Sequence, residues 1–78
     1  MTNATNNQTG TPRELTGRWI RYYPGYYEYT TSDGRTKAIV QRGSLWAWNV
    51  YRDGGRIAGN CEATCAEAKA RAEHFAAA

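Results

Sequence analysis

Residues 18–60 alternate short aromatic and apolar runs with turn signals, a pattern typical of antiparallel strands joined by hairpins. The pattern predicts strands at 18–23, 26–31, 36–42, 45–52 and 56–59. The turn signals between them are Pro24-Gly25, Ser32-Asp33-Gly34, Gly43-Ser44 and Asp53-Gly54-Gly55. Because Pro24-Gly25 either ends a strand or bends it, the first two runs are two strands or one bent strand. The sequence therefore predicts a β-meander of four to five strands.

The hydrophobic period changes after residue 60, where one helix is predicted. Thr64 and Glu67 have the spacing of a capping box, and residues 65–78 are mostly strong helix formers. One helix face carries small and apolar side chains at spacings of three and four: Cys65, Ala68, Ala72, Phe75 and Ala76. Because alanines let a helix approach a sheet closely, we expect this C-terminal helix to pack on one sheet face.

Alternation along 45–52 separates the two faces of the predicted sheet. Trp46, Trp48 and Val50 share one face, and the two tryptophans fill the volume that the helix alanines leave. We expect these residues to lie under the helix, together with Ala38 and Val40. The predicted fold class is α+β, an antiparallel sheet of four to five strands with one C-terminal helix packed on one face.

Residues 1–12 are polar and show no hydrophobic period. We expect a disordered tail there and a single domain over 13–78. The tail has neither the basic start nor the apolar core of a signal peptide, and no stretch reaches the ~20 apolar residues of a membrane helix. These features favour a cytoplasmic protein that has no membrane contact. We also expect a monomer or weak dimer.

The formal net charge is +3, and its distribution along the chain is uneven. Residues 13–60 carry eight basic and four acidic side chains, whereas residues 61–78 carry two basic and three acidic ones. A mildly basic body of this kind suits a phosphate-bearing or acidic partner. The same charge also serves simply to keep a small domain soluble.

The residue types needed for catalysis or metal binding are sparse. His74 is the single histidine of the sequence, and Cys61, Cys65 and His74 fall short of the four ligands of a structural zinc site. The glycines lie at strand turns and lack the Gly-Lys-Ser/Thr end of a phosphate-binding loop. We therefore predict no enzymatic activity, no metal and no cofactor.

The stretch 18–37, RWIRYYPGYYEYTTSDGRTK, interleaves arginine with tyrosine. These residue types are enriched at protein-binding hot spots and on nucleic-acid surfaces, although tyrosine and threonine are also ordinary strand formers. If the helix covers one sheet face, the other face and its hairpin edges are free to bind. The predicted contact residues are Tyr27, Tyr29, Arg35, Lys37, Tyr51 and Arg52. A bulge at Pro24-Gly25 would exchange the faces of strand 26–31.

Residues 43–75 carry the first of two resemblances. GSLWAWNVYRDGGR at 43–56, followed by TCAEA at 64–68, resembles the arm-type DNA-binding domain of phage tyrosine-recombinase integrases. That resemblance implies a three-stranded sheet inserted into the major groove, with Arg52 and Arg56 near phosphates. Residues 57–61 stand where that family has a basic run, which is absent here.

The second resemblance covers the whole chain and concerns its type. A small aromatic β-meander with an alanine-rich helix resembles phage or prophage accessory proteins of the anti-CRISPR type. It implies a non-catalytic inhibitor that docks on a host protein or ribonucleoprotein, the CRISPR effector complex, and blocks recruitment of target DNA. The alternative is a small sequence- or shape-reading DNA-binding module of a mobile element.

Overall fold

A computed structural model describes residues 17–77 of the chain. In chain order, its elements are β1 Gly17–Tyr23, β2 Tyr26–Thr31, β3 Thr36–Arg42, β4 Trp46–Arg52, β5 Gly55–Glu62 and α1 Cys65–Ala77. Each strand pairs antiparallel with its neighbours in sequence, so the five-stranded sheet has the order β1-β2-β3-β4-β5. The predicted α+β meander is confirmed. The predicted tail at 1–12 lies outside the described residues.

The hairpin turns follow the glycine signals of the sequence. Pro24-Gly25 separates β1 from β2, and Gly25 has a φ of 86°. Asp53 and Gly54 both adopt positive φ, of 52° and 86°, as the tightest class of β-hairpin turn requires. β5 is longer than predicted, because Asn60, Cys61 and Glu62 pair with β4 although they lack the apolar alternation of a strand. Because Pro24-Gly25 forms a turn between β1 and β2 and does not merely bend one strand, the sheet has five separate strands.

The core lies between the sheet and α1. Ala68, Ala72 and Ala76 are fully buried against a sheet surface made of Ala38, Val40, Trp48, Val50 and Tyr29. The predicted placement of Trp48, Val50, Ala38 and Val40 under the helix is confirmed, with Trp46 at the margin of this core. Because alanines bring the helix axis close, the indole of Trp48 fills the remaining space and stacks on Phe75 with ring centroids 5.4 Å apart.

The first turn of α1 is capped as its sequence predicts. The Glu67 amide donates to Thr64 Oγ1 at 3.1 Å, and the Thr64 hydroxyl donates to Glu67 Oε1 at 3.2 Å. This satisfies one of the amides that a helix start leaves without a backbone partner. Within residues 17–77, no helix is both long enough and apolar enough to cross a membrane.

Candidate partner-binding face

The sheet face opposite α1 consists of three rows of paired residues, and we call it the open face. Residues paired across antiparallel strands point to the same side, so the register defines each row. The tyrosine row, next to the β1–β2 hairpin, contains Tyr23, Tyr26, Gln41, Ala47 and Cys61. The middle row contains Ile20, Glu28, Ile39, Asn49 and Gly59. The cation row contains Arg18, Thr30, Lys37, Tyr51 and Arg56.

The cation row carries a basic residue on every second strand. Arg18 lies on β1, Lys37 on β3 and Arg56 on β5, and all three are exposed. Because neighbouring strands lie ~4.8 Å apart, the backbone positions of successive cations are about 10 Å apart. The row as a whole contains no acidic side chain. It therefore forms a positive stripe that crosses the strands.

Arg56 is held on the open face by its neighbours. Its Nε donates to Asn49 Oδ1 at 2.7 Å. A side chain at Gly59 would collide with both Arg56 and Asn49. The missing side chain at Gly59 thus makes room for the guanidinium to lie along β5, which fixes the position of one cation of the stripe.

Glu28 is the one acidic residue of the three rows, and two open-face neighbours contact its carboxylate. The Tyr26 hydroxyl donates to Glu28 Oε2 at 2.6 Å, and Lys37 Nζ lies 3.6 Å from Glu28 Oε1. The hydrogen bond to the carboxylate stabilises the neutral phenol and, together with burial, raises the pKa of Tyr26 to about 12. Because Glu28 balances only one cation, the open face keeps an excess of positive charge.

An exposed aromatic cluster marks the β1–β2 end of the open face. Tyr23 stacks on Tyr26 with centroids 5.0 Å apart, and Tyr22 contacts the same ring edge-on at 6.1 Å. Tyr22 and Tyr23 remain 60% and 56% exposed. Mutual stacking restrains these rings while leaving them accessible, which is typical of side chains that anchor a partner.

Two of the predicted contact residues, Tyr27 and Tyr29, lie on the wrong face for that role. Their pairing with Val40 and Ala38 places both on the helix side of the sheet. Tyr29 is only 8% exposed, and burial raises the pKa of its hydroxyl. The Tyr27 ring lies 3.9 Å from the ammonium of Lys69. Their predicted place on the open face is therefore wrong.

The physical reason is the register of the β2–β3 hairpin. Thr31 Oγ1 accepts a hydrogen bond from the Thr36 amide at 3.2 Å, and the Thr31 hydroxyl donates to Asp33 Oδ1 at 2.6 Å. These bonds hold the turn between Thr31 and Thr36 in one conformation and so fix the register of β2 against β3. That hydrogen bond from Thr31 also lowers the pKa of Asp33. The irregularity near Pro24-Gly25 falls in β1, between Arg21 and Tyr23, and leaves β2 unbroken.

Two of the arginines predicted to contact a partner form hydrogen bonds with other groups of the chain itself. Arg35 binds Asp53 through both carboxylate oxygens, Nε to Oδ1 at 3.0 Å and Nη2 to Oδ2 at 2.7 Å, and this lowers the pKa of Asp53. Arg52 lies on the helix side, where its Nη2 donates to the carbonyls of Phe75 and Ala76 at 3.4 and 3.2 Å. Arg52 thus caps the end of α1, and its predicted place among the free binding residues is wrong.

Lys37 and Tyr51 are the predicted residues that do lie on the open face, as neighbours in the cation row. Their role in binding stays a prediction. Arg18, Thr30 and Arg56 complete the row but were not among the residues predicted for the open face, although the integrase resemblance implied a place near phosphates for Arg56. Arg56 lies opposite Tyr51 because the register of β4 and β5 shifts between Val50 and Tyr51, and sequence alternation alone does not reveal that shift.

The other side of the molecule offers a cleft between β5 and α1. Glu62, Glu67, Arg71 and His74 line it, and Glu62 Oε2 accepts from the Trp48 indole at 3.1 Å. Over residues 17–77, no group of three or more histidine, cysteine or acidic side chains is placed to hold a metal ion. Cys61 and Cys65 are both free thiols.

Comparison with known proteins finds no protein family, no curated protein and no solved structure that matches the chain.

Proposed function

We propose that the chain is a non-catalytic binding protein that docks its open face on a polyanionic surface of a macromolecular partner. The observation that carries this proposal is the cation row, in which Arg18, Lys37 and Arg56 cross an exposed sheet face without an acidic residue among them. No element within residues 17–77 packs on that face, because α1 contacts the sheet from the opposite side.

Apolar and aromatic side chains supply the contact area that charge alone does not give. Ile20 is 48% exposed, and it lies with Ile39 in the middle row on either side of Glu28. Together with the stacked tyrosines at the hairpin end, these residues make a surface of rings and aliphatic groups bordered by cations. Interfaces with tight partners combine an apolar centre with polar and basic residues in the same way.

Both partners predicted from the sequence present negative charge. A host ribonucleoprotein, such as a CRISPR effector complex, exposes nucleic acid and acidic protein surface, and DNA exposes phosphates. That the chain inhibits a bacterial defence complex therefore stays a prediction. The feature of the open face that favours it is its positive charge.

Heparin affinity chromatography tests the proposed face with a defined polyanion. Arg56→Glu places a negative charge in the cation row, whereas Arg71→Glu makes the same change of net charge on α1. Arg71 is a suitable control because its side chain is 65% exposed and its nearest ion pair, to Glu62, is a loose 3.9 Å.

We expect the Arg56→Glu variant to elute from heparin at clearly lower salt than the Arg71→Glu variant, which should stay close to the wild type. Circular dichroism confirms that both variants are folded before they are compared. Elution of the two variants at the same salt concentration would show that only net charge matters and would overturn the proposal.

A further inference from the structure

The hydrogen-bonding groups and the spacing of the cation row favour one class of polyanion. We propose that the open face binds a single-stranded nucleic acid whose phosphodiester backbone crosses the strands along the cation row. This inference rests on the function proposed above and names the partner of the same face.

All five side chains of the cation row are able to donate hydrogen bonds: Arg18, Thr30, Lys37, Tyr51 and Arg56. Guanidinium and ammonium groups only donate, and the threonine and tyrosine hydroxyls lie between them. A phosphodiester backbone only accepts, so every residue of the row finds a complementary oxygen. Contacts to nucleic-acid phosphates come from these residue types. An acidic protein surface, by contrast, mixes donors with acceptors.

The spacing of the row suits a repeated charge. Cations about 10 Å apart over four strand-to-strand steps cover roughly 19 Å. The phosphates of a nucleic-acid strand repeat regularly, so a run of them can contact all three cations in succession. The long, flexible arginine and lysine side chains compensate for the difference between the phosphate spacing and the cation spacing. Tyr51, half-buried between Lys37 and Arg56 in the register, offers a ring on which a base can stack.

The twist of the sheet favours a flexible strand over a rigid duplex. Adjacent strands rotate by about 20–25°, so the faces of β1 and β5 differ in direction by roughly 80–100°. Arg18 and Arg56 lie on those two edge strands. A straight duplex meets only part of a row that turns in this way, whereas a single strand can follow it.

Fluorescence anisotropy with labelled oligothymidylate, measured over a series of salt concentrations, tests the proposal. Three phosphate contacts on a single strand predict a log–log slope of about −2, at about −0.7 per contact. Arg56→Gln should make the slope shallower by about 0.7, and so should Arg18→Gln, while Arg71→Gln should leave it unchanged. Two open-face variants are used so that the slope can still be compared if one of them is poorly folded.

A mixed-sequence DNA duplex and poly-L-glutamate serve as competing probes. We expect oligothymidylate to bind more tightly than either. Tighter binding of the duplex or of polyglutamate, or a slope unaffected by both Arg18→Gln and Arg56→Gln, would overturn the single-strand proposal. If heparin retention depends on Arg56 but oligothymidylate fails to bind, this inference falls while the proposed function stands. If heparin retention does not depend on Arg56, the proposed function falls first.

Discussion

At the scale of single residues, Arg52 shows how a surface-type residue becomes structural. It continues the alternation of Trp48 and Val50, so its side chain emerges under the last turn of α1. There it donates Nε to Thr36 Oγ1 at 2.9 Å and Nη2 to two helix carbonyls. A cation at this position satisfies carbonyls that a helix end leaves without partners and complements the helix dipole. Alternation in the sequence indicates this face, but the distance to the helix end requires the structure.

Replacement of Arg52 by methionine tests this capping role. Arg52→Met keeps much of the apolar stem but removes every donor, and Thr36, at 1% exposure, loses a partner for its hydroxyl. We expect the free energy of unfolding to fall by about 1.5–3 kcal/mol, the range for hydrogen bonds to a charged group. Thermal denaturation followed by circular dichroism measures the change. The matched control is Arg35→Met, which removes an exposed, solvent-screened ion pair to Asp53 and should lower the free energy of unfolding much less than Arg52→Met does. Equal losses in the two variants would contradict the capping role.

At the scale of elements, the packing of α1 on β3 and β4 was accessible from the sequence, whereas the face of β2 was not. The alanine spacing identifies the buried face of α1, and the alternation of Trp46, Trp48 and Val50 identifies the sheet face that receives it. Both patterns follow from local geometry, and together they indicate the same packing of helix on sheet. The face of β2 depends on the register of the hairpin at Thr31 and Thr36, which side-chain hydrogen bonds in the turn determine. Alternation indicates which residues share a face, but not which of the two faces is covered.

Truncation of Trp48 tests the contact between sheet and helix. Its indole is 4% exposed, stacks on Phe75 and donates to Glu62. We expect Trp48→Ala to lower the free energy of unfolding by about 3–5 kcal/mol, the range for the loss of a large buried aromatic side chain. Urea denaturation measures the change, with Tyr22→Ala, at an exposed position, as a control that should change stability by about 0.5 kcal/mol or less. Near-wild-type stability of Trp48→Ala would place the core elsewhere.

At the scale of the whole molecule, the acidic side chains are distributed unevenly between the two sides. Glu67 and Glu73 lie on α1, and Glu62 lines the cleft between β5 and α1, whereas Glu28 is the one acid in the three rows of the open face. Counts along the chain cannot reveal this difference, because residues of one strand alternate between the two sides. A field of one sign over an exposed face raises the rate at which an oppositely charged partner finds it.

The most direct measurement of the open-face account is a map of backbone amide shifts by NMR during titration with oligothymidylate. We expect the largest shifts in the cation row, around Thr30, Lys37, Tyr51 and Arg56, with small shifts along the exposed side of α1 around Ala70. Such a pattern would place the ligand on the open face independently of any substitution. Shifts concentrated on α1 and the cleft at Glu62, with the cation row unchanged, would contradict the account.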